Sequence, residues 1–204
     1  MYSKYGKRVF DFLFASSLLV ALLPLFIVFS LMIVLLDGLP IFFMQDRIGK
    51  NGNVFKIYKF RTMKNDADSS GTVTYKDDSR IIKGGSFIRK FKIDEMVQLL
   101  NVVSGDMSII GPRPTVAYDF NKMNSKQRTR VNVRPGLTGL AQISGNTSLT
   151  WPDRIKYDLD YINNIKFKDM INYQADAPTK AIEELKDIPC DIITIEKQNE
   201  GNIA

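Results

Sequence analysis

Residues 12–36, FLFASSLLVALLPLFIVFSLMIVLL, contain no charged side chain. A run of 25 uncharged residues is long enough for a membrane helix and too long for the apolar part of a secretory signal. Pro24 leaves twelve residues on each side. Each half would form a helix of about 18 Å, whereas the hydrocarbon core of a bilayer is about 30 Å thick. Because proline removes a backbone donor, we predict a membrane helix with a kink at its centre.

Two membrane topologies are compatible with this run. A spanning helix is normally oriented by unequal numbers of Lys and Arg on its two sides. Basic residues here flank both sides: Lys4, Lys7 and Arg8 before the run, and Arg47, Lys50 and Lys56 after it. A bent, re-entrant helix that enters and leaves by the cytoplasmic face agrees with the kink and with the balanced charge. Proline-kinked spanning helices are also common, so the pattern alone leaves both topologies open.

The next segment, residues 41–63, mixes β-branched and aromatic residues around Gly49 and Gly52. This pattern predicts two short extended segments joined by a loop. The second segment carries a basic row that we expect on one side of the chain: Lys56, Lys59 and Arg61. Such a row is typical of a solvated surface or one that faces lipid headgroups. Residues 64–80 are small, polar and charged, and we predict a surface loop there.

The segment FKIDEMVQLLNVVSG, residues 91–105, has the apolar spacing of a helix. Four residues are predicted to share its buried face: Met96, Leu99, Leu100 and Val103. Asp94 stands where an N-cap residue would stand, and Asp is among the best N-caps. The Ser104-Gly105 pair is predicted to end the helix.

Two further segments precede the C-terminal tail. Residues 134–146, RPGLTGLAQISGN, contain three glycines and are predicted to form a flexible loop whose backbone amides could approach a phosphate. Trp151-Pro152 then opens a predicted helix that runs to about Asn164.

Composition limits the chemistry. The chain contains no histidine, which excludes His-based triads and His-containing zinc sites. The one cysteine, Cys190, excludes an internal disulfide. Residues 169–204 carry 3 basic and 8 acidic side chains, which leaves 25 basic and 14 acidic side chains in residues 1–168. The basic part favours a phosphate-rich partner such as a nucleotide, a nucleic acid or an anionic membrane.

Five features follow one another in a recognisable order: a basic start, the apolar run with its central proline, RIGKNGNVFKIYKFRTM, IDE followed by QLLNVVSGDMSIIGPRP, and RPGLTGLAQISGN. In this order the chain resembles the monotopic phosphoglycosyl transferases, bacterial sugar transferases that load a phosphosugar onto a polyprenyl phosphate at the cytoplasmic membrane. The resemblance implies an α+β, mainly α, monotopic membrane protein. Residues 1–40 would be a re-entrant helix hairpin, residues 41–168 a small cytoplasmic catalytic domain with amphipathic interfacial helices, and residues 169–204 a divergent acidic tail.

The resemblance also implies a reaction. The donor would be a nucleotide diphosphosugar, such as a UDP-sugar, and the acceptor a polyprenyl (undecaprenyl) phosphate. Asp94 would attack the sugar-linked phosphorus, and Asp94 and Glu95 would hold Mg²⁺. Aspartate suits this role in a histidine-free chain because it is already ionised and needs no base. The substrate-binding residues implied are Lys59, Arg61, Arg89, Arg113, Arg134 and Asn146.

The resemblance also implies that the protein lies on the inner (cytoplasmic) membrane, with its catalytic part facing the cytoplasm. Membrane lipids and downstream glycosyltransferases are expected partners. Nucleic acid is not an expected partner, because no recognised nucleic-acid-binding motif is present. The chain departs from the family pattern at Met96-Val97, at Asn146 and in its acidic tail. These departures keep a second hypothesis open, that of a non-catalytic membrane scaffold for glycan-assembly enzymes.

Overall fold

The computed structural model describes residues 6–64 and 78–163, and it contains both helices and strands, with helices predominating. The helices are α1 Lys7–Asp37, α2 Gly85–Lys90, α3 Ile93–Met96, α4 Leu99–Ser104, α5 Ala117–Asn121, α6 Ser125–Arg128, α7 Leu140–Ile143 and α8 Trp151–Asn163. The strands are β1 Phe42–Ile48, β2 Val54–Phe60, β3 Ser108–Ile110 and β4 Gly136–Thr138. Short 3-10 turns cover Lys50–Gly52, Thr129–Asn132 and Asn146–Ser148. The predicted tail, residues 169–204, and most of the predicted surface loop, residues 64–80, lie outside the described residues.

The predicted apolar helix is present as α1. It is 31 residues long and continues through Pro24, which gives it a length of about 46 Å. Within the described residues it is the one helix long and apolar enough to cross a membrane. Most of its large apolar side chains are exposed, for example Val20, Val28 and Leu35. An exposed apolar helix of this length is compatible with membrane association.

Both ends of α1 form polar contacts with other parts of the described chain. At the N-terminal end, Arg8 donates to the carbonyl oxygen of Val103 at 2.7 Å, and Asp11 accepts from the Ser108 hydroxyl at 2.6 Å. At the C-terminal end, the Arg61 guanidinium donates to the Gly38 carbonyl at 2.6 Å and pairs with Asp37 at 3.2 Å.

The predicted extended segments are confirmed as an antiparallel hairpin. β1 pairs with β2 from Phe42 opposite Phe60 to Ile48 opposite Val54. The prediction of one basic row is wrong for Lys56, because successive side chains of a strand alternate between the two faces. Lys56 is exposed and pairs with Asp46 at 2.9 Å, whereas Lys59, on the opposite face, reaches Glu95.

The single helix predicted after residue 93 is divided into α3 and α4. Lys92 is the N-cap of α3, in the left-handed region at φ 53°, and Asp94 lies one residue inside the helix. The capping role predicted for Asp94 is therefore wrong. The buried face also differs from the prediction, because Leu100 is 43% exposed while Val97 and Val102 are buried. The predicted end is confirmed, since Gly105 is the C-cap of α4.

The predicted flexible loop at residues 134–146 is instead regular structure. β4 pairs in parallel with β3, and α7 follows directly. Gly136 and Gly139 lie so close to the backbone of Gly111 that a Cβ at either position would overlap it. These two glycines therefore serve the close approach of two backbone segments.

Two apolar clusters form the core, and α1 contributes to both. The first combines Ala15 of α1 with buried residues of the hairpin, α4, β3, the turn before β3, and α8: Ile57, Leu99, Val102, Met107, Ile109, Ile110 and Tyr161. The second combines Phe29 and Ile33 of α1 with Phe60, Ile82, Ile88, Ile93 and Val97. Ile93 and Val97 flank the acid pair, so the second cluster fixes the backbone that carries Asp94 and Glu95.

Candidate active site

The acid pair lies in α3, where Asp94 and Glu95 are adjacent. Glu95 is paired with two cations from different parts of the chain. Its Oε1 atom accepts from the Lys59 ammonium at 2.8 Å and from the Arg113 guanidinium at 2.5 Å, and its Oε2 atom accepts a second Arg113 bond at 3.2 Å. The attraction of Arg113 and Lys59 outweighs burial and lowers the pKa of Glu95 to about 2. Glu95 therefore stays ionised at any physiological pH.

Asp94 has a different environment. Its carboxylate is half-buried and accepts no hydrogen bond from a side chain of the described residues 6–64 and 78–163. Burial, followed by the negative charge of Glu95, raises the pKa of Asp94, and the attraction of Lys59 and Arg89 only partly opposes this rise. Two neighbouring carboxylates thus have pKa values displaced in opposite directions. Such a separation is characteristic of sites in which paired acids have distinct roles.

The side chain of Arg113 reaches the acid pair from a segment between two buried prolines, Pro112 and Pro114. Arg113 is 47% exposed although it binds Glu95, so part of its guanidinium remains open to a ligand. A small pocket opens beside it, and its lining includes Ile48, Gly49, Val131 and Val133.

Arg47 is a basic residue near this site that the sequence analysis counted only as a flank of the apolar run. Its Nη2 atom donates to Gln45 at 2.5 Å, and its Nε atom is buried without a hydrogen-bond partner among the described residues. Burial and the nearby positive charge of Arg113 lower the pKa of Arg47, while Glu95 opposes this shift. Arg47 belongs to the RIGKNGNVFKIYKFRTM motif, which was the available signal for a role at the site.

The predicted substrate-binding residues do not all have the same surroundings. Lys59 and Arg113 bind Glu95 directly, and Arg89 lies close enough to Asp94 to favour its ionised form. Arg61 is buried and bonds the end of α1.

The two remaining residues, Arg134 and Asn146, belong to later segments of the chain. Arg134 donates to the carbonyl oxygen of Gly105 at 2.8 Å, at the end of α4. Asn146 begins a 3-10 turn at φ 43°. The substrate contacts of both residues remain predictions.

The donor set can be compared with the needs of a metal ion. Within the described residues, no group of three or more His, Cys, Asp or Glu side chains could hold one. Mg²⁺ usually binds through one or two carboxylates, completed by waters and substrate phosphates. Asp94 and Glu95 satisfy that smaller requirement, with Glu95 sharing its oxygens with Lys59 and Arg113.

Comparison with known proteins supplies independent information. A family model described as "Bacterial sugar transferase" matches residues 2–179. The chain is 42% identical to the uncharacterized sugar transferase EpsL of Bacillus subtilis, with 79% of each chain covered. It is 40% identical to the exopolysaccharide production protein ExoY of Sinorhizobium fredii, covering 78% of this chain and 77% of that one. It is also 37% identical to the UDP-glucose:undecaprenyl-phosphate glucose-1-phosphate transferase of Xanthomonas campestris, covering 79% of this chain and 35% of that longer protein.

Proposed function

The chain belongs to the bacterial sugar transferase family, and we propose that it transfers a phosphosugar from a UDP-sugar to a polyprenyl phosphate, with release of nucleoside monophosphate. The relative from Xanthomonas campestris carries this kind of activity in its name, with UDP-glucose as donor and undecaprenyl phosphate as acceptor. The reaction would begin the assembly of a glycoconjugate or polysaccharide on the inner face of the cytoplasmic membrane.

The observation that carries this proposal is the unequal pairing of the two acids. Glu95 is held by two cations, whereas Asp94 is left without a hydrogen-bonding side chain among the described residues. Arg89 and Arg47 add further positive charge nearby. A surplus of positive charge around an unpaired carboxylate suits an anionic substrate, because the cations offset the repulsion between the carboxylate and a diphosphate.

In the proposed first step, an oxygen of the Asp94 carboxylate attacks the sugar-linked phosphorus. A bond forms between that oxygen and phosphorus, the bond to the nucleotide phosphate oxygen breaks, and nucleoside monophosphate leaves with the electron pair. In the second step a phosphate oxygen of the polyprenyl phosphate attacks the same phosphorus and displaces the Asp94 carboxylate. Arg113 and Arg89 steady the phosphate oxygens through both steps.

A divalent cation fits this scheme. We propose that Asp94 and Glu95 hold Mg²⁺, which would neutralise charge on the diphosphate. Glu95 is suited to this task because its low pKa keeps it ionised. Lys59 and Arg113 fix the orientation of the Glu95 carboxylate.

We also propose that α1 is a re-entrant anchor. Arg8 and Asp11 at one end contact α4 and β3, and Asp37 at the other end contacts Arg61, which directly follows β2. This arrangement supports an entry and an exit on one membrane face, because a spanning helix would carry one end to the opposite side. The catalytic residues would then lie at headgroup level, where the phosphate of a polyprenyl phosphate resides.

Topology can be tested with single cysteines at Ser3 and at the exposed Ser79, in a Cys190→Ala background. In intact cells both positions should resist a thiol reagent that cannot cross the membrane, and both should react after permeabilisation. Labelling of position 3 alone in intact cells would establish a spanning helix.

The proposed reaction is tested with purified full-length protein, a panel of UDP-sugars, Mg²⁺ and polyprenyl phosphate. We expect repeated turnover, with release of many equivalents of nucleoside monophosphate, only when both acceptor and Mg²⁺ are present. Release of nucleoside diphosphate would indicate glycosyl transfer instead of phosphosugar transfer. No release with any donor would favour the scaffold hypothesis.

A further inference from the structure

A buried ion pair links α8 to the main chain of Arg113. The Arg130 Nη2 atom donates to Oδ2 of Asp158 at 2.5 Å and to the carbonyl oxygen of Arg113 at 2.9 Å. The side chains of Arg130 and Asp158 are only 4% and 3% exposed. Arg113 in turn binds Glu95, so a continuous series of contacts runs from α8 to the acid pair.

This pair is poorly explained by stability alone. Removing two charges from water is costly, and an apolar pair of similar size is often at least as stable. Burial raises the pKa of Asp158 in spite of the neighbouring Arg130. The Nε and Nη1 atoms of Arg130 are buried and find no hydrogen-bond partner among the described residues. Among the described residues only Nη2 of this guanidinium forms hydrogen bonds, and it is the atom that contacts Arg113. The guanidinium also lies over the Trp151 ring, 5.6 Å from its centroid.

Few hydrogen bonds fix the backbone around Arg113. Pro112 and Pro114 have no N–H group, so this segment depends on its carbonyl oxygens. The Pro112 carbonyl accepts from Gly136 at 2.9 Å, and the Thr115 carbonyl accepts from Ile48 at 2.8 Å. The hydrogen bond from Arg130 lies between these two hydrogen bonds in the chain, and its acceptor is the carbonyl oxygen of Arg113 itself.

We propose that Arg130 and Asp158 are positioning residues for phosphosugar transfer. Arg130 fixes the main chain of Arg113, which keeps the Arg113 guanidinium directed at Glu95 and at the phosphate oxygens of the donor. Asp158 holds Arg130 in place and neutralises its charge. The inference rests on the proposed function, since it concerns the same site. Neither residue touches the substrate.

The key test separates charge and position from folding. The double substitution Arg130→Met with Asp158→Leu removes both charges together and fills the same space with apolar atoms, so the protein should unfold at nearly the wild-type temperature. It also removes the bond to the Arg113 carbonyl. Because small displacements of a phosphate-binding group are costly in catalysis, kcat/KM for the donor should fall between about tenfold and a hundredfold. A purely structural pair predicts unchanged activity per folded molecule.

A binding measurement adds a readout that does not depend on turnover. UDP with Mg²⁺ serves as probe for the full-length protein in lipid nanodiscs, and the double variant should bind it about tenfold more weakly. In an Arg113→Ala background the same double substitution should change the affinity by less than about twofold, because nothing remains to be positioned. An equal loss with and without Arg113 would overturn the proposal.

Two further variants complete the design. The pair Asp153–Lys156 is an exposed ion pair on the same helix, at 2.8 Å, so Asp153→Asn with Lys156→Met should leave both readouts unchanged. Arg130→Lys keeps the charge opposite Asp158 but is too short to reach the Arg113 carbonyl as well. Arg130→Lys should remain folded, and its kcat/KM should fall by at least about fivefold. If the double variant does not fold, Arg130→Lys still tests whether Arg130 positions Arg113.

The possible failures can be told apart. Full activity of Arg130→Lys, or of a folded double variant, would refute the positioning role while leaving the proposed reaction in place. A wild-type protein that releases no nucleoside monophosphate from any donor would refute the proposed reaction and this inference with it.

Discussion

Two carboxylate sites at different places in the molecule show how differently the same chemical groups are used. At the start of α1, Asp11 is buried and fully paired: Oδ2 accepts from Lys7 at 2.8 Å and from Ser108 at 2.6 Å, and Oδ1 accepts from the Ile109 N–H at 3.3 Å. In α3, Glu95 is paired and Asp94 has no such side-chain partner in the described parts of the chain. Complete satisfaction is the rule for buried polar groups, and Asp11 follows it, whereas the half-buried Asp94 keeps a carboxylate that is open to water or to a ligand.

The largest effect is expected at the unpaired acid. Asp94→Asn removes the proposed nucleophile and should lower kcat at least about a thousandfold. The free energy of unfolding should not fall, because burial and the negative charge of Glu95 already disfavour the ionised form of Asp94. A raised folded-state pKa means that ionised Asp94 opposes folding as pH rises, and the neutral amide removes that opposition. Transfer assays and thermal unfolding measure the two effects, with the exposed Asp160→Asn as control.

The paired acid at the other site should behave in the opposite way. Asp11→Ala leaves the ammonium of Lys7 without its carboxylate and should lower the free energy of unfolding by about 3–5 kcal/mol. Activity per folded molecule should stay close to wild type. Asp46→Ala breaks the exposed pair with Lys56 and should cost no more than about 1 kcal/mol. Denaturant titration in detergent measures both variants, and equal losses would contradict the distinction drawn between buried and exposed pairs.

Glu95 is paired with cations, as Asp11 is, but it lies next to Asp94 in the candidate active site. Its substitution should therefore affect both activity and stability. Glu95→Gln should reduce the rate by about a hundredfold and weaken the response to Mg²⁺. It should also change the acid stability. Ionised Glu95 stabilises the fold above its unfolded pKa of 4.5, and this stability is lost as pH falls toward about 2. Unfolding measured across that interval should depend less on pH in Glu95→Gln than in the wild type.

A smaller effect is expected at Arg47, which tests how far the positive surroundings of Asp94 extend. Arg47→Gln should raise the donor KM by about tenfold with little change in kcat, since the residue would contact phosphate and not the reacting atoms. Lys50→Gln, in the exposed turn after β1, is the matched control. Equal kinetics in the two variants would exclude Arg47 from the substrate site.

The family and several elements could be predicted from sequence because their signals are local. The hairpin follows from β-branched and aromatic residues around Gly49 and Gly52, and α1 follows from 25 uncharged residues. The acid pair and Arg113 were identified by motif, and the structure brings Glu95 and Arg113 together. In each of these cases adjacent residues carry the information.

The remaining features depend on contacts between distant segments. The left-handed Lys92 starts α3 before Asp94, and neither propensity nor spacing predicts that conformation. The glycines after Arg134 indicated a flexible loop, but they allow β4 to approach Gly111. Arg47 was read only as a charge beside the apolar run, because its proximity to Arg113 depends on the tertiary fold.

We propose that Asp94 becomes covalently phosphoglycosylated during the reaction. The most direct measurement incubates wild-type protein with a UDP-sugar and Mg²⁺ in the absence of polyprenyl phosphate, followed by peptide mass spectrometry. We expect at most one equivalent of nucleoside monophosphate and a phosphosugar mass on the peptide that contains Asp94. Addition of polyprenyl phosphate should remove that mass. Full transfer activity in Asp94→Asn, or a phosphosugar attached to a different residue, would contradict the claim.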